Sequence, residues 1–275
     1  MQRKKVNKHK ILNLTWFVKL YMILIHKKSV NIHLRFYEEL NDFLPIEKRK
    51  KCFLHTVASK TAIKDVIESV GVPHTEIDLI LVNHQSVDLT YQIHAGDWVS
   101  VYPVFETLDI SEMACIRPEP LRKIAFILDV HFGKLAKHLR LLGFDVVYEN
   151  HFTDAAIVMR SQEEKRIVLT RDVGLLKNKK ITHGYWIRNH DPDKQVGEVL
   201  RRFDLYQQCK PFTRCLECNG LLESVNKKEV AKHLLPLTFK YHQHFMRCQG
   251  CQRVYWQGMH YQKLRCRVHQ FLSAR

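Results

Sequence analysis

The sequence predicts an α/β protein in three parts: a small α+β domain, a parallel sheet with helices on its faces, and a basic module held together by cysteines. Three observations carry this. Alternating apolar runs around one amphipathic helix fill 29–106, fully apolar strands alternate with helices from residue 123, and four cysteines after residue 208 fall into two Cys-x-x-Cys pairs. A chain of 275 residues with 45% hydrophobic content can supply about two such cores. The formal charge of +16 points to a polyanionic partner, nucleic acid or anionic lipid. That charge is segmental. Residues 1–28 hold 8 basic and no acidic side chains, 29–122 hold 9 and 14, 123–207 hold 15 and 11, and 208–275 hold 12 and 3.

The head, residues 1–28, has a charged start and an apolar stretch from Ile11 to Ile25. Lys19 interrupts it, no small-residue cleavage site follows, and spanning a bilayer takes about 20 uninterrupted apolar residues. A membrane anchor is therefore not expected, and the localisation read from the sequence is cytoplasmic. Met22 precedes the first predicted strand, so residues 1–21 read equally well as an upstream extension of the frame.

In 29–106, Val30 to Phe36 alternates as a half-buried strand, and Cys52 to Val57 offers a second. Thr61 is placed to cap a helix whose Ile63, Val66, Ile67 and Val70 share one face, with Gly71 and Pro73 ending it. Leu79 to Val82 and Trp98 to Tyr102 supply later strands, and His84-Gln85 stands at a tight turn. Two strands, a helix and further strands make a β-grasp, ubiquitin-like layout. Its last strand runs on through Pro103-Val104-Phe105 with no terminal Gly-Gly, which argues against sulfur transfer or conjugation and for a docking module.

A linker, 107–122, carries Pro118 and Pro120. In 123–207, an unbroken apolar strand ends at Asp129. A helix follows with Phe132, Leu135, Ala136, Leu139 and Leu142 on one face and Lys134, Lys137, His138 and Arg140 turned elsewhere; Gly143 ends it. Asp145 to Tyr148, a helix starting near Thr153-Asp154, and the strand 167–170 leading to Asp172 complete an alternation that predicts a parallel sheet with its site at the strands' carboxyl ends. Asp129 and Asp172 then share one edge. One such carboxylate serves readily as a helix cap, but two on neighbouring strand ends repel unless a cation lies between them, and hard oxygen donors suit Mg²⁺ or Mn²⁺. Asp154 is a third candidate ligand, or equally a first-turn acid favoured by the helix dipole. Asp191 and Asp193 read as caps of the helix that follows them, and Arg171 can pair with a phosphate or with neighbouring carboxylates.

In 208–263, Cys215/Cys218 and Cys248/Cys251 are separated by 29 residues. Two tight turns presenting four thiolates make a closed tetrahedral site for structural zinc, with Gly220 and Gly250 placed for close backbone approach. Cys52, Cys115, Cys209 and Cys266 lack such spacing and read as free thiols. Around the pairs, basic residues including Arg247 and Arg253 interleave with Tyr241, Phe245, Tyr255, Trp256 and Tyr261, a composition that suits RNA or single-stranded nucleic acid; part of these rings must instead build the module's core. Residues 264–275 are expected as a basic tail.

Asp129 followed by GKLAKHLRLLGFDVVYEN, then RIVLTRDVGLL, the two cysteine pairs and VYWQGMHYQK together resemble the RNase domain family named for the C-terminal domain of a nematode mutator exonuclease. LILVNHQSVDLTYQIHAGDWVSVYPVF resembles the ubiquitin-like domain that precedes certain PIN-type RNase domains. The resemblance covers about 29–263. It implies a PIN-like parallel sheet, a preceding ubiquitin-like β-grasp domain and a zinc ribbon. By analogy with PIN nucleases it also implies Asp129, Asp154 and Asp172 as catalytic metal ligands. The expected activity is Mg²⁺- or Mn²⁺-dependent hydrolysis of RNA, the strand being held by Lys134, Lys137, Arg140, Arg171, Arg247 and Arg253. The alternative is a nonenzymatic RNA-binding adaptor, ribosome- or tRNA-associated, whose β-grasp domain recruits a protein partner.

Overall fold

A computed structural model describes residues 29–104 and 123–273. The N-terminal head, the linker 107–122 and Cys115 lie outside these residues. The described chain divides into two compact units, the first comprising 29–72 and 77–104 and the second containing 123–273.

The first unit is a five-stranded mixed sheet in the order β2-β1-β5-β3-β4, formed by Ser29–Phe36 (β1), Phe53–Ala58 (β2), Ile77–Val82 (β3), Gln85–Ser86 (β4) and Trp98–Pro103 (β5). Only β1 and β5 run parallel, side by side at the centre, as a β-grasp requires. Alternation in β1 sends Ile32, Leu34 and Phe36 inward, where they meet Ile63, Val66 and Ile67 of helix α1, Ile63–Ser69. Thr61 does not cap this helix: Ala62 is the N-cap residue, and the Thr61 hydroxyl donates to the Ala58 carbonyl instead. The β3–β4 turn sits one residue earlier than expected. Asn83 and His84 are its central pair, both left-handed (φ 50° and 70°), and the Asn83 side chain holds the turn by accepting from Trp98 N and donating to Asp97.

In the second unit, β6 (Ala125–Leu128), β7 (Asp145–Val147), β8 (Ile167–Thr170) and β9 (Gly184–Trp186) form an all-parallel sheet in the order β7-β6-β8-β9. Covered on both faces, β6 and β8 are apolar without alternation. Phe126, Leu128, Ile167 and Leu169 point to α2 (Gly133–Leu141) and α5 (Pro192–Arg202), while Ile127 and Val168 point to α3 (Asp154–Glu163) and α4 (Val173–Leu176). Thr153 caps α3 and Asp191 caps α5 through side-chain oxygens, as their positions predict.

The ribbon is an antiparallel sheet of β10 (Leu222–Val225), β11 (Phe245–Cys248) and β12 (Val254–Trp256), with two short helices, α6 (Lys227–Val230) and α7 (Pro236–Tyr241), inserted between β10 and β11. It does not end in a loose basic tail. Met259–Ser273 forms a helix, α8, whose Val268 and Phe271 are buried in the same core as Phe126 and Leu128. The parallel sheet and the ribbon are thus one compact body. Gly143 (φ 94°) shows how closely they meet, since a Cβ there would lie 2.2 Å from the Lys210 carbonyl oxygen.

Candidate active site and metal cluster

Adjacent pairing of β6 and β8 brings Asp129 and Thr170-Arg171-Asp172 to the same carboxyl edge. Asp129 is buried. One of its oxygens accepts from His131 N at 2.9 Å and the other accepts a short hydrogen bond from the Thr170 hydroxyl. That same hydroxyl accepts from Asp172 N at 2.9 Å, so one fully buried threonine links the two aspartates. Asp172 is exposed and caps α4: its Oδ1 accepts from Gly174 N (2.6 Å) and Leu175 N (3.2 Å). No described group donates to its Oδ2. The segment after Asp129 is pinned by Tyr148, whose hydroxyl donates to the Val130 carbonyl at 3.0 Å; a Cβ at Gly133 would stand 2.8 Å from the Tyr148 hydroxyl oxygen.

Asp154 is exposed at the first turn of α3 and makes no contact with the other two acids. Among the described residues, Asp129, Asp154 and Asp172 do not form a group of three carboxylates close enough to hold an ion in this conformation. What the fold assembles is the pair on adjacent strands. In donor chemistry the pair fits a hard divalent cation, with the outward Oδ2 of Asp172 free to bind.

The basic residues divide. Lys134 and Lys137 are exposed on α2, Lys137 pairing with Glu217 at 3.1 Å. Arg140 is a correction to the amphipathic reading: it is buried, with Nε donating to the Val146 carbonyl and Nη1 to those of Leu216 and Glu217, so it cannot face RNA. Arg171 is likewise spent on structure, donating to the Ile187 and Arg188 carbonyls and meeting His190 Nδ1 at 2.6 Å. Arg247 pairs with Glu223 at 3.0 Å, and exposed Arg253 lies 3.7 Å from Glu217.

Cys215, Cys218, Cys248 and Cys251 place their sulfurs within 4.8 Å of one another, a cluster able to hold a metal ion. Each second cysteine is followed by a left-handed residue, Asn219 (φ 69°) and Gln252 (φ 61°), which turns the chain back toward the sulfurs. Gly220 is needed for space, because a Cβ there would lie 2.8 Å from Cys248 Sγ. Burial raises the Cys218 thiol, but the hydrogen bond from Gly220 N and those from the neighbouring sulfurs outweigh it and bring the pKa down to about 6.

Sequence reasoning missed the residues that attach this cluster to the sheet. Asp145, at the start of β7, accepts from Arg166 (2.7 Å), Asn219 (2.9 Å) and Arg214 (3.2 Å). Asn219 also accepts from Val146 N at 2.9 Å. Burial alone would raise the Asp145 carboxyl, yet these donors and the two guanidinium charges hold it below the usual carboxylate range. Glu198 was missed too: buried in α5, it accepts from Tyr185, Arg188 N and both Asn189 nitrogens, fixing the chain beyond β9. The only signals were polar residues inside otherwise apolar periods.

Among the described residues no helix is long and apolar enough to cross a membrane. Residues 124–268 match the family described as Mut7-C RNAse domain, and residues 29–109 match the one described as Mut7-C ubiquitin. No curated protein matches the chain.

Proposed function

Because the chain belongs to the Mut7-C RNase domain family, with a ubiquitin-like domain of the same lineage before it, we propose that it is a cytoplasmic, metal-dependent ribonuclease acting at Asp129 and Asp172. The observation that carries this reading is the linkage of the two carboxylates across adjacent strand ends by the Thr170 hydroxyl. Asp154 supplies a third carboxylate by a side-chain or helix-end movement. Mg²⁺ or Mn²⁺ bound there supplies positive charge and Lewis acidity toward a phosphodiester oxygen. Thr170 keeps the Asp129 carboxylate oriented, the α4 amide groups keep Asp172 in place, and Lys134 on the helix following Asp129 offers a cation to the RNA backbone. The four-cysteine cluster holds structural zinc, since four thiolates leave no open position for chemistry. The β-grasp domain serves as a protein-docking module.

A second reading has its own observation. Both aspartates already act as N-caps, which is all an RNA-binding adaptor would require of them. One substitution separates the two. In Asp172→Asn the side-chain oxygen still accepts from Gly174 N and Leu175 N, so folding and RNA binding should persist. A ribonuclease should then lose at least about a hundredfold in Mg²⁺- or Mn²⁺-dependent cleavage, measured on labelled RNA with zinc content checked. Wild-type cleavage by this variant, or no ion-dependent cleavage by the wild type, would leave the adaptor.

A further inference from the structure

Beside the cysteine cluster, the ribbon and the start of α8 enclose a cavity of about 540 Å³, within the roughly 300–1,000 Å³ typical of small-molecule sites. Phe212, Tyr255, Trp256 and Tyr261 line it, with His244 and His260 exposed at its margin. Three of these rings already belong to the protein's own packing: Phe212 and Tyr261 meet at 4.6 Å, and the Tyr255 hydroxyl lies 3.0 Å from Cys215 Sγ. Trp256 is different. It is 39% exposed, and no described group accepts from its indole Nε1.

The lining selects its occupant by chemistry. Arg214 is its sole permanent charge, and that guanidinium is committed to Gly143, Asn219 and Asp145. With no uncommitted charge the cavity favours a neutral group, and its walls set four ring faces among aliphatic side chains such as Leu216, Leu222, Met246 and Val254, a surface that accepts the faces of a flat heterocycle. The segment that builds the ribbon, residues 208–275, holds 12 basic side chains against 3 acidic ones, which suits a group carried on a polyanion. We infer that the cavity receives an unstacked nucleobase of single-stranded RNA, stacked on Trp256 and hydrogen-bonded at its edge by His244 or His260. This rests on RNA being the substrate and adds a base-binding site away from Asp129 and Asp172.

The test uses the full-length, zinc-containing protein without added Mg²⁺ or Mn²⁺, so that binding is read without turnover. The probes are a labelled single-stranded RNA of about 12 nucleotides and an abasic ribose-phosphate strand of the same length. Wild type should bind the intact strand about tenfold or more tightly than the abasic one, matching the usual contribution of one stacked base. Trp256→Ala should lose most of that preference and leave the salt dependence unchanged, because phosphate contacts are untouched. Equal affinity of wild type for both strands, or an unchanged preference in Trp256→Ala, would overturn the inference. If Trp256→Ala loses zinc or unfolds, Trp256→Phe decides: RNA should quench tryptophan emission in wild type, and the quench should shrink in this variant. An unchanged quench would also overturn the inference. Cleavage is scored separately: base-dependent binding without ion-dependent cleavage sinks the ribonuclease and spares the cavity, and the converse result does the opposite.

Discussion

Asp145 shows how one side chain can serve two modules. It begins a strand of the parallel sheet, yet two of its partners, Arg214 and Asn219, belong to the first cysteine knuckle. With a side chain only 14% exposed facing guanidinium groups 10% and 13% exposed, Asp145→Asn leaves two poorly hydrated cations undercompensated and should cost about 3 kcal/mol in urea unfolding. The pH dependence follows from the same geometry. A carboxyl whose folded pKa is depressed contributes stability that is present above its unfolded value of 3.8 and lost as pH falls through the folded one, so wild type and Asp145→Asn should converge only in strong acid. His138 works in the opposite pH range. Burial first, and then Arg267, lower its pKa below 6.5, offset in part by Asp193, while Lys134 adds a smaller repulsion. The unfolded chain therefore binds the proton more readily. Stability is fully present above pH 6.5 and falls as pH drops through that value; His138→Phe, placed beside Phe271, should flatten the decline between about pH 7.5 and 5.5 in thermal melts.

Among the elements, those legible in the sequence share one property: a single local pattern decides them. Buried strands ending in Asp129 and Asp172, the i, i+3, i+4 face of α2 and the Asp191 cap all followed from spacing, because period and cap chemistry act over a few residues. What was not legible depends on distant partners. Arg140 looks like a surface cation until Leu216 and Glu217 supply carbonyls for it, and Thr170 looks like one more β-branched strand residue until Asp129 arrives beside it. The last helix is the largest such case. Its cations, Lys263, Arg265 and Arg267, suggest a tail, but Val268 and Phe271, three apart, insert into the core of the parallel sheet. Phe271→Ala should therefore cost about 3–5 kcal/mol in the stability of the sheet, whose nearest strand in sequence, β9, ends 85 residues before it at Trp186, and accelerate amide exchange in β6 and β8. A variant whose exchange quickened only within α8 itself would show the helix to be an independent appendage.

For the body formed by 123–273, these attachments decide whether the cysteine cluster is a detachable accessory. The backbone of the first knuckle is held by Arg140, its Asn219 is bonded to both Asp145 and Val146 N, and the helix that leaves the ribbon ends in the sheet's own core. Structural zinc contributes free energy that a small ribbon has no other means of supplying. If the ribbon were independent, losing the metal would open only residues after 208 and leave the sheet's melting unchanged. Because contacts run in both directions across residue 208, the metal's contribution should instead reach the site at Asp129 and Asp172. Cys251→Ser, chosen because Cys251 is exposed while Cys215 and Cys248 are buried, should abolish stoichiometric metal by elemental analysis. It should also lower the unfolding midpoint of the body as a single transition, quicken amide exchange in β6 and β8, and reduce RNA cleavage although no residue at the acidic edge has changed. Two separate transitions, with the strands fully protected after the metal is gone, would mean that the ribbon and the parallel sheet fold apart.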